Sequence, residues 1–141
     1  MKRIAMVIAV AIATIWTIGG ASTAEAVIAI IRQTGMFSLA QGQTTSAHVV
    51  NIGEERGTTW WARVFDSQGN ILAQSDRRRL ELGQASSFEF GPLDLAEGQR
   101  MAIRVEVNVE GASRGRPGFV ATQEVFNVGD GKTTVFLPYL E

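Results

Sequence analysis

Three groups of residues in this chain carry side chains able to do chemistry or to grip a ligand: one histidine, a tryptophan pair and two clusters of arginine. His48 is the only histidine, and there is no cysteine. That removes thiol catalysis and the common structural zinc sets, and leaves a transition metal without its usual ligands. No G-x-S-x-G elbow is present, and the triad-type residues Ser67 and Asp66 belong to a turn signal. His48 falls in the alternating run Thr44 to Ile52, on one face with Thr44, Ser46 and Val50, and reads as a surface or half-buried polar residue. The carboxylates are scattered. Only Glu89, between Phe88 and Phe90, sits among apolar neighbours, and strand alternation points it away from both rings. Asp66-Ser-Gln-Gly-Asn70 and Gly129-Asp-Gly131 have neither the acidic density nor the closing glutamate of a calcium loop. The expectation is a protein that is not an enzyme and holds no cofactor or metal.

Binding is the better prospect. Adjacent residues on a strand point to opposite faces, so Trp60-Trp61 splits into two sets. One tryptophan joins Ala62 and Val64, which look like core. Trp61, Arg63 and Phe65 make the other set, expected as a partly exposed aromatic strip suited to stacking on a sugar ring or another protein. The plainer alternative covers Trp61 with a loop or a neighbouring strand. Positive charge gathers at Arg77-Arg78-Arg79 and at Arg114 and Arg116 in the loop Gly111 to Gly118. End loops of a sandwich cluster into rims, where such arginines would hold carboxylates or phosphates of an envelope polymer. Alternatively, they guard an exposed sheet edge from pairing with other chains. The expected ligand-binding set is Trp61, Arg63, Phe65, Arg114 and Arg116.

The elements that must position these residues read as strands. A short phrase recurs before alternating runs: Leu39-Ala-Gln-Gly42-Gln43, Leu80-Glu-Leu-Gly83-Gln84 and Leu95-Ala-Glu-Gly98-Gln99. Each offers a leucine, a reversing glycine and a glutamine that launches a strand, the punctuation of antiparallel sheet. Strands are expected at Val27 to Gln33, continuing over Met36 to Leu39 after a break at Gly35. Others follow at Thr44 to Ile52, Thr58 to Phe65, Ile71 to about Arg78, Ala85 to Phe90, Phe119 to Val128 and Thr133 to Leu137. The clearest is the run from Met101, where Met101, Ile103, Val105, Val107 and Val109 alternate with Ala102, Arg104, Glu106, Asn108 and Glu110. One helical turn is expected around Pro92 to Glu97, with Asp94 as its cap. About eight short strands with frequent turn signals predict an all-β fold, an immunoglobulin-like Greek-key sandwich.

The N-terminus reads as an export signal. Lys2 and Arg3 precede an uncharged run from Ile4 to Ile18, and Ala24-Glu25-Ala26 supplies the small-x-small site, so cleavage is expected after Ala26. The apolar run is shorter than the roughly 20 residues a spanning helix needs. With residues 1–26 as a signal helix, residues 27–141 form one domain with eleven basic and thirteen acidic residues. That near-neutral balance argues against nucleic acid as a partner. After cleavage no membrane anchor remains, and a bacterial periplasmic or secreted location is expected; the alternative is an uncleaved N-terminal anchor, extended by the second apolar patch Val27-Ile-Ala-Ile-Ile31.

A resemblance adds to this. A glycine-glutamine turn is followed by a strand ending in Val50-Asn51. Then come Val64-Phe65-Asp66-Ser67-Gln68-Gly69-Asn70-Ile71-Leu72-Ala73 and a further leucine-glycine-glutamine turn. This succession resembles immunoglobulin-like domains of exported bacterial proteins. Glu124-Val125-Phe126-Asn127 and Thr133-Thr134-Val135-Phe136-Leu137 are similar to a group of small stand-alone exported proteins with no established activity. The resemblance spans most of residues 36–138. It implies a sandwich in a surface or periplasmic setting, and offers no catalytic residues. Both cysteines of antibody-type members are missing, so their inter-sheet disulfide is absent. The expected role is a non-catalytic binding module for a protein or glycan of the cell envelope. The alternative is a self-assembling subunit of a surface fibre or layer, a homo-oligomer in which Val27 to Ile31 is donated to a neighbour.

Overall fold

The computed structural model describes residues 29–111, 118–137 and 139. The segment 1–26, expected to be an export signal, and the loop arginines Arg114 and Arg116 lie outside the described residues. In chain order the strands are β1 (Ala29–Gln33), β2 (Phe37–Ala40), β3 (Gln43–Asn51), β4 (Thr58–Asp66) and β5 (Ile71–Gln74). They continue with β6 (Arg78–Leu80), β7 (Ala85–Phe90), β8 (Arg100–Glu110), β9 (Phe119–Asn127) and β10 (Thr133–Leu137). Among the described residues there is no helix. All pairings are antiparallel, in two sheets. One follows the order β1-β8-β4-β5, with β2 also on β8 and β6 also on β4; the other follows β10-β9-β3-β7.

Among the described residues ten strands appear where about eight were expected, and both edges of the six-stranded sheet are broken. At the β1/β2 break, the Thr34 N–H donates to the Val105 carbonyl (2.9 Å), and the Val105 N–H donates to Thr34 Oγ1 (2.9 Å). At the β5/β6 break, the Ser75 N–H donates to the Ala62 carbonyl (3.0 Å), and the Ala62 N–H donates to Ser75 Oγ (2.9 Å). A hydroxyl oxygen takes the place of the backbone carbonyl that a continuous strand would present, so the inner strand stays satisfied while the edge turns away. The break near Gly35 matches the sequence expectation; the run from Ile71 to Arg78 is two strands, not one. Interrupted edges are poor templates for pairing with other chains.

The inward faces of both sheets meet in one core. Leu39, Trp60, Ala62, Val64, Leu80, Ile103, Val105, Val107 and Val109 come from the six-stranded sheet, and Ala47, Val49, Phe119 and Val125 from the other. The alternation read at Met101 to Glu110 holds, with Ile103, Val105, Val107 and Val109 all within 1% of full burial. Gln123 is also fully buried. It donates to Thr45 Oγ1 and accepts from the Tyr139 hydroxyl, whose ionisation burial pushes far up. Asn51, likewise buried, ties a corner: its Nδ2 donates to the carbonyls of Glu54 and Leu80, and its Oδ1 accepts from the Glu54 N–H.

The recurring phrase has a common mechanism. Gln43, Gln84 and Gln99 each turn their side-chain carbonyl back onto the N–H three residues earlier, at Ala40 (2.9 Å), Glu81 (2.9 Å) and Ala96 (3.1 Å). The glycine between them adopts φ of 73°, 80° and 78° in turn, the left-handed conformation that the third residue of a type II turn requires. The helical turn expected at Pro92 to Glu97 is absent. The Leu95 N–H donates to the Leu93 carbonyl (2.9 Å), a reversal over two residues that is tighter than any helix.

Candidate binding face

Register assembles the candidate site on the outer face of the six-stranded sheet. Across β4 and β8, Trp61 stands opposite Asn108, Arg63 opposite Glu106 and Phe65 opposite Arg104. Trp60, Ala62 and Val64 point into the core, as the split of the tryptophan pair predicts. The structure therefore brings Trp61, Arg63 and Phe65 together on one face.

The exposure of that strip differs from expectation. Trp61 and Phe65 are each only 8% exposed. As in the plainer alternative, a loop and a neighbouring strand contribute cover, through arginine side chains: Arg77 from the β5–β6 connection and Arg104 from β8. The Arg77 guanidinium carbon lies 4.1 Å from the centre of the Trp61 ring. Those of Arg104 and Arg63 lie 4.6 and 5.7 Å from the Phe65 ring. A guanidinium is weakly hydrated and planar, and it is attracted to the negative face of a ring. It shields an aromatic without a hydrophobic lid. The rings are thereby withdrawn from direct stacking on a sugar, and what the face presents to a partner is guanidinium.

Two of the three covering arginines are neutralised. Arg63 Nη2 donates to Glu106 Oε1 (2.5 Å) and lies 3.4 Å from Asn108 Oδ1, while Asn108 Nδ2 also donates to Glu106 Oε1 (3.0 Å). Arg77 Nη1 bonds both carboxylate oxygens of Glu110 at 3.1 and 3.0 Å. Arg104 differs. Its Nε, like that of Arg63, is buried with no hydrogen-bond partner, but among the described residues no carboxylate pairs with the Arg104 guanidinium. Sequence reasoning found Trp61, Arg63 and Phe65 but missed Arg77, Arg104 and Glu106 as parts of the face. The signal available was the alternation of β8, which puts Arg104, Glu106 and Asn108 on one side.

The remaining chemistry-bearing residues lie elsewhere. On the outer face of the four-stranded sheet, His48 Nε2 sits 3.0 Å from Glu124 Oε1, and the Thr133 hydroxyl donates to Glu124 Oε2 (3.1 Å). Ser46 stands between Glu89 and Glu124 in the register, with its Oγ buried and unpartnered, so it makes no bond to His48. Serine, histidine and carboxylate are neighbours there without forming a nucleophile–base contact. Asp66, read as a turn residue, is one. Its Oδ1 accepts from the N–H groups of Gln68 and Asn70, and its Oδ2 from Asn70 Nδ2, each at 2.8 Å. These bonds, Asn70's side chain foremost, hold its carboxyl below the ordinary value of 3.8. Among the described residues no group of three or more histidine and acidic side chains is placed to hold a metal ion. No family model, curated protein or solved structure matches this chain.

Proposed function

We propose that this chain is an exported, non-catalytic binding module of immunoglobulin-like Greek-key type, and that it meets a cell-envelope partner through the outer face of its six-stranded sheet. The observation that carries this reading is Arg104. Of the three guanidinium groups that cover the rings, it is the one that has no carboxylate among the described residues; it lies over Phe65 with its Nε buried. A guanidinium is best completed by a carboxylate or phosphate oxygen. Rings and ion pairs on either side fix the arginine side chains in advance, which lowers the entropy lost on binding. Export rests on Lys2, Arg3, the apolar run and Ala24-Glu25-Ala26.

The test is retention of the purified protein on immobilised polyglutamate, polygalacturonate and polylysine. Expected are salt-sensitive retention on the acidic polymers and about a tenfold weakening by Arg104→Gln, equivalent to roughly 1.4 kcal/mol. Retention on polylysine instead, or an Arg104→Gln protein that behaves as wild type, would overturn the reading. Fractionation of the expressing bacterium, with N-terminal sequencing, checks export; the expected first residue is Val27.

A further inference from the structure

The last residue pair between β4 and β8 is Asp66 with Ile103; β8 runs three residues further, to Arg100, flanked by β2 alone. There Asp66, Ser67 and Gln68 of the β4–β5 turn border a shallow notch of about 530 Å³. Its lining includes Leu72, Leu95, Gln99, Arg100 and Ala102. Leu72 is 37% exposed, so part of this apolar surface faces water. Asp66 is the one acid in the lining, and its carboxylate is folded back onto the backbone and side chain of its own turn.

Arg100, Ala102 and Arg104 occupy successive outward positions of one strand. Among the described residues, neither arginine has an ion-pair partner. A strand rises about 3.3 Å per residue, so the two guanidinium-bearing positions lie about 13 Å apart along β8. An extended peptide has the same rise. Laid along this strand, it brings its own residues i and i+4 to the same spacing, on the same side. Between the arginines, Ala102 leaves room for residue i+2, and Leu72 and Leu95 line the same notch.

We infer that the notch and the adjoining Arg104 bind an extended peptide segment with carboxylates at i and i+4 and an apolar side chain at i+2. The inference deepens the binding-face reading and rests on it. The carboxylates pair with Arg100 and Arg104, and the apolar side chain fills the notch over Ala102. A glycan acid would match the charge. It would not use the apolar lining, and the rings it would stack on are covered.

The experiment uses fluorescein-labelled Gly-Glu-Thr-Leu-Thr-Glu-Gly with the full chain, read by polarisation and by amide shifts in NMR. Controls are the glutamine analogue, an isomer with adjacent glutamates (Gly-Glu-Glu-Thr-Leu-Thr-Gly) and trigalacturonate. The expected result is binding at least tenfold tighter than the glutamine analogue and fivefold tighter than the isomer. Shifts should centre on Gln68, Gln99 and Ala102, and Arg100→Gln and Arg104→Gln should each cost about tenfold. Equal binding of the isomer, or trigalacturonate displacing the peptide more strongly than unlabelled peptide does, overturns the inference. A loss with Arg104→Gln but none with Arg100→Gln overturns the notch and leaves the face standing. No response to any acidic probe here, together with no retention on acidic polymers, overturns both.

Discussion

On the outside of the six-stranded sheet two aromatic rings lie beneath three guanidinium groups. The outside of the four-stranded sheet carries hydroxyls, one imidazole and carboxylates. Both faces solve the same problem, which is that a strand facing water on one side must still keep its side chains ordered. The first does so with guanidinium groups over rings and a carboxylate–guanidinium pair, Arg63 with Glu106, whose side chains are 29% and 8% exposed. The second relies on a wetter contact, His48 with Glu124, at 38% and 21%. Burial sets how much such a pair matters. An exposed pair contributes little, whereas removing one partner of a buried pair strands a charge. The six-stranded sheet is accordingly the face whose polar residues are structural, and its unpaired Arg104 stands out against that background.

Substitutions that probe this contrast fall in a clear order. Trp61→Ala removes a buried ring and uncovers Arg77; it should destabilise by about 3 kcal/mol in urea unfolding. A loss below about 1 kcal/mol would mean the ring is no more sheltered than a surface side chain. Next, Glu106→Ala leaves Arg63 without its acid and should cost about 2 kcal/mol, below the usual range for buried pairs because Arg63 is partly exposed. Combining it with Arg63→Met should recover much of that loss. On the other face, Glu124→Gln should cost less than about 0.5 kcal/mol. If Glu124→Gln costs as much as Glu106→Ala, the contrast between the faces fails.

The smallest effect is at the rim. Because Asp66 ionises more readily in the folded chain, its turn contributes stability that is present above the ordinary carboxyl value of 3.8. That contribution fades as pH falls below it, toward the lowered folded value. Asp66→Asn should flatten the acid limb of a plot of melting temperature against pH and leave the neutral region nearly unchanged.

Local pattern made much of this molecule legible. The period-two run of β8 announced a strand with one core face, and the splitting of Trp60 from Trp61 followed from the pleat alone. The hairpin at Asp66 to Asn70 was marked by its own turn residues. What local pattern does not contain is register. Arg104 meets Phe65 only because Phe65 pairs with that residue of β8 rather than with a neighbour two places along. Arg77 reaches Trp61 because Ser75 breaks the edge just before it. Sequence composition likewise labels Trp61 and Phe65 as apolar strip without saying that a cation will cover them. The expected helical turn near Pro92 failed because a single isolated turn fixes several dihedral angles for one hydrogen bond, and nothing propagates it.

The glutamine corners bear on how such a chain finds its fold. Each closes through a contact only three residues long, which forms in well under a microsecond. The sheet, by contrast, must bring Ala29 beside Glu110 and Gln43 beside Asn127, and folds dominated by such distant pairings are slow. Three bends that can form before any strand meets its partner shorten that search. They aim successive segments back along one another while the rest of the chain is still unformed. The repeated pentapeptide therefore acts on the sequence of folding events as well as on the finished shape: corners first, and the sheets assembled around them.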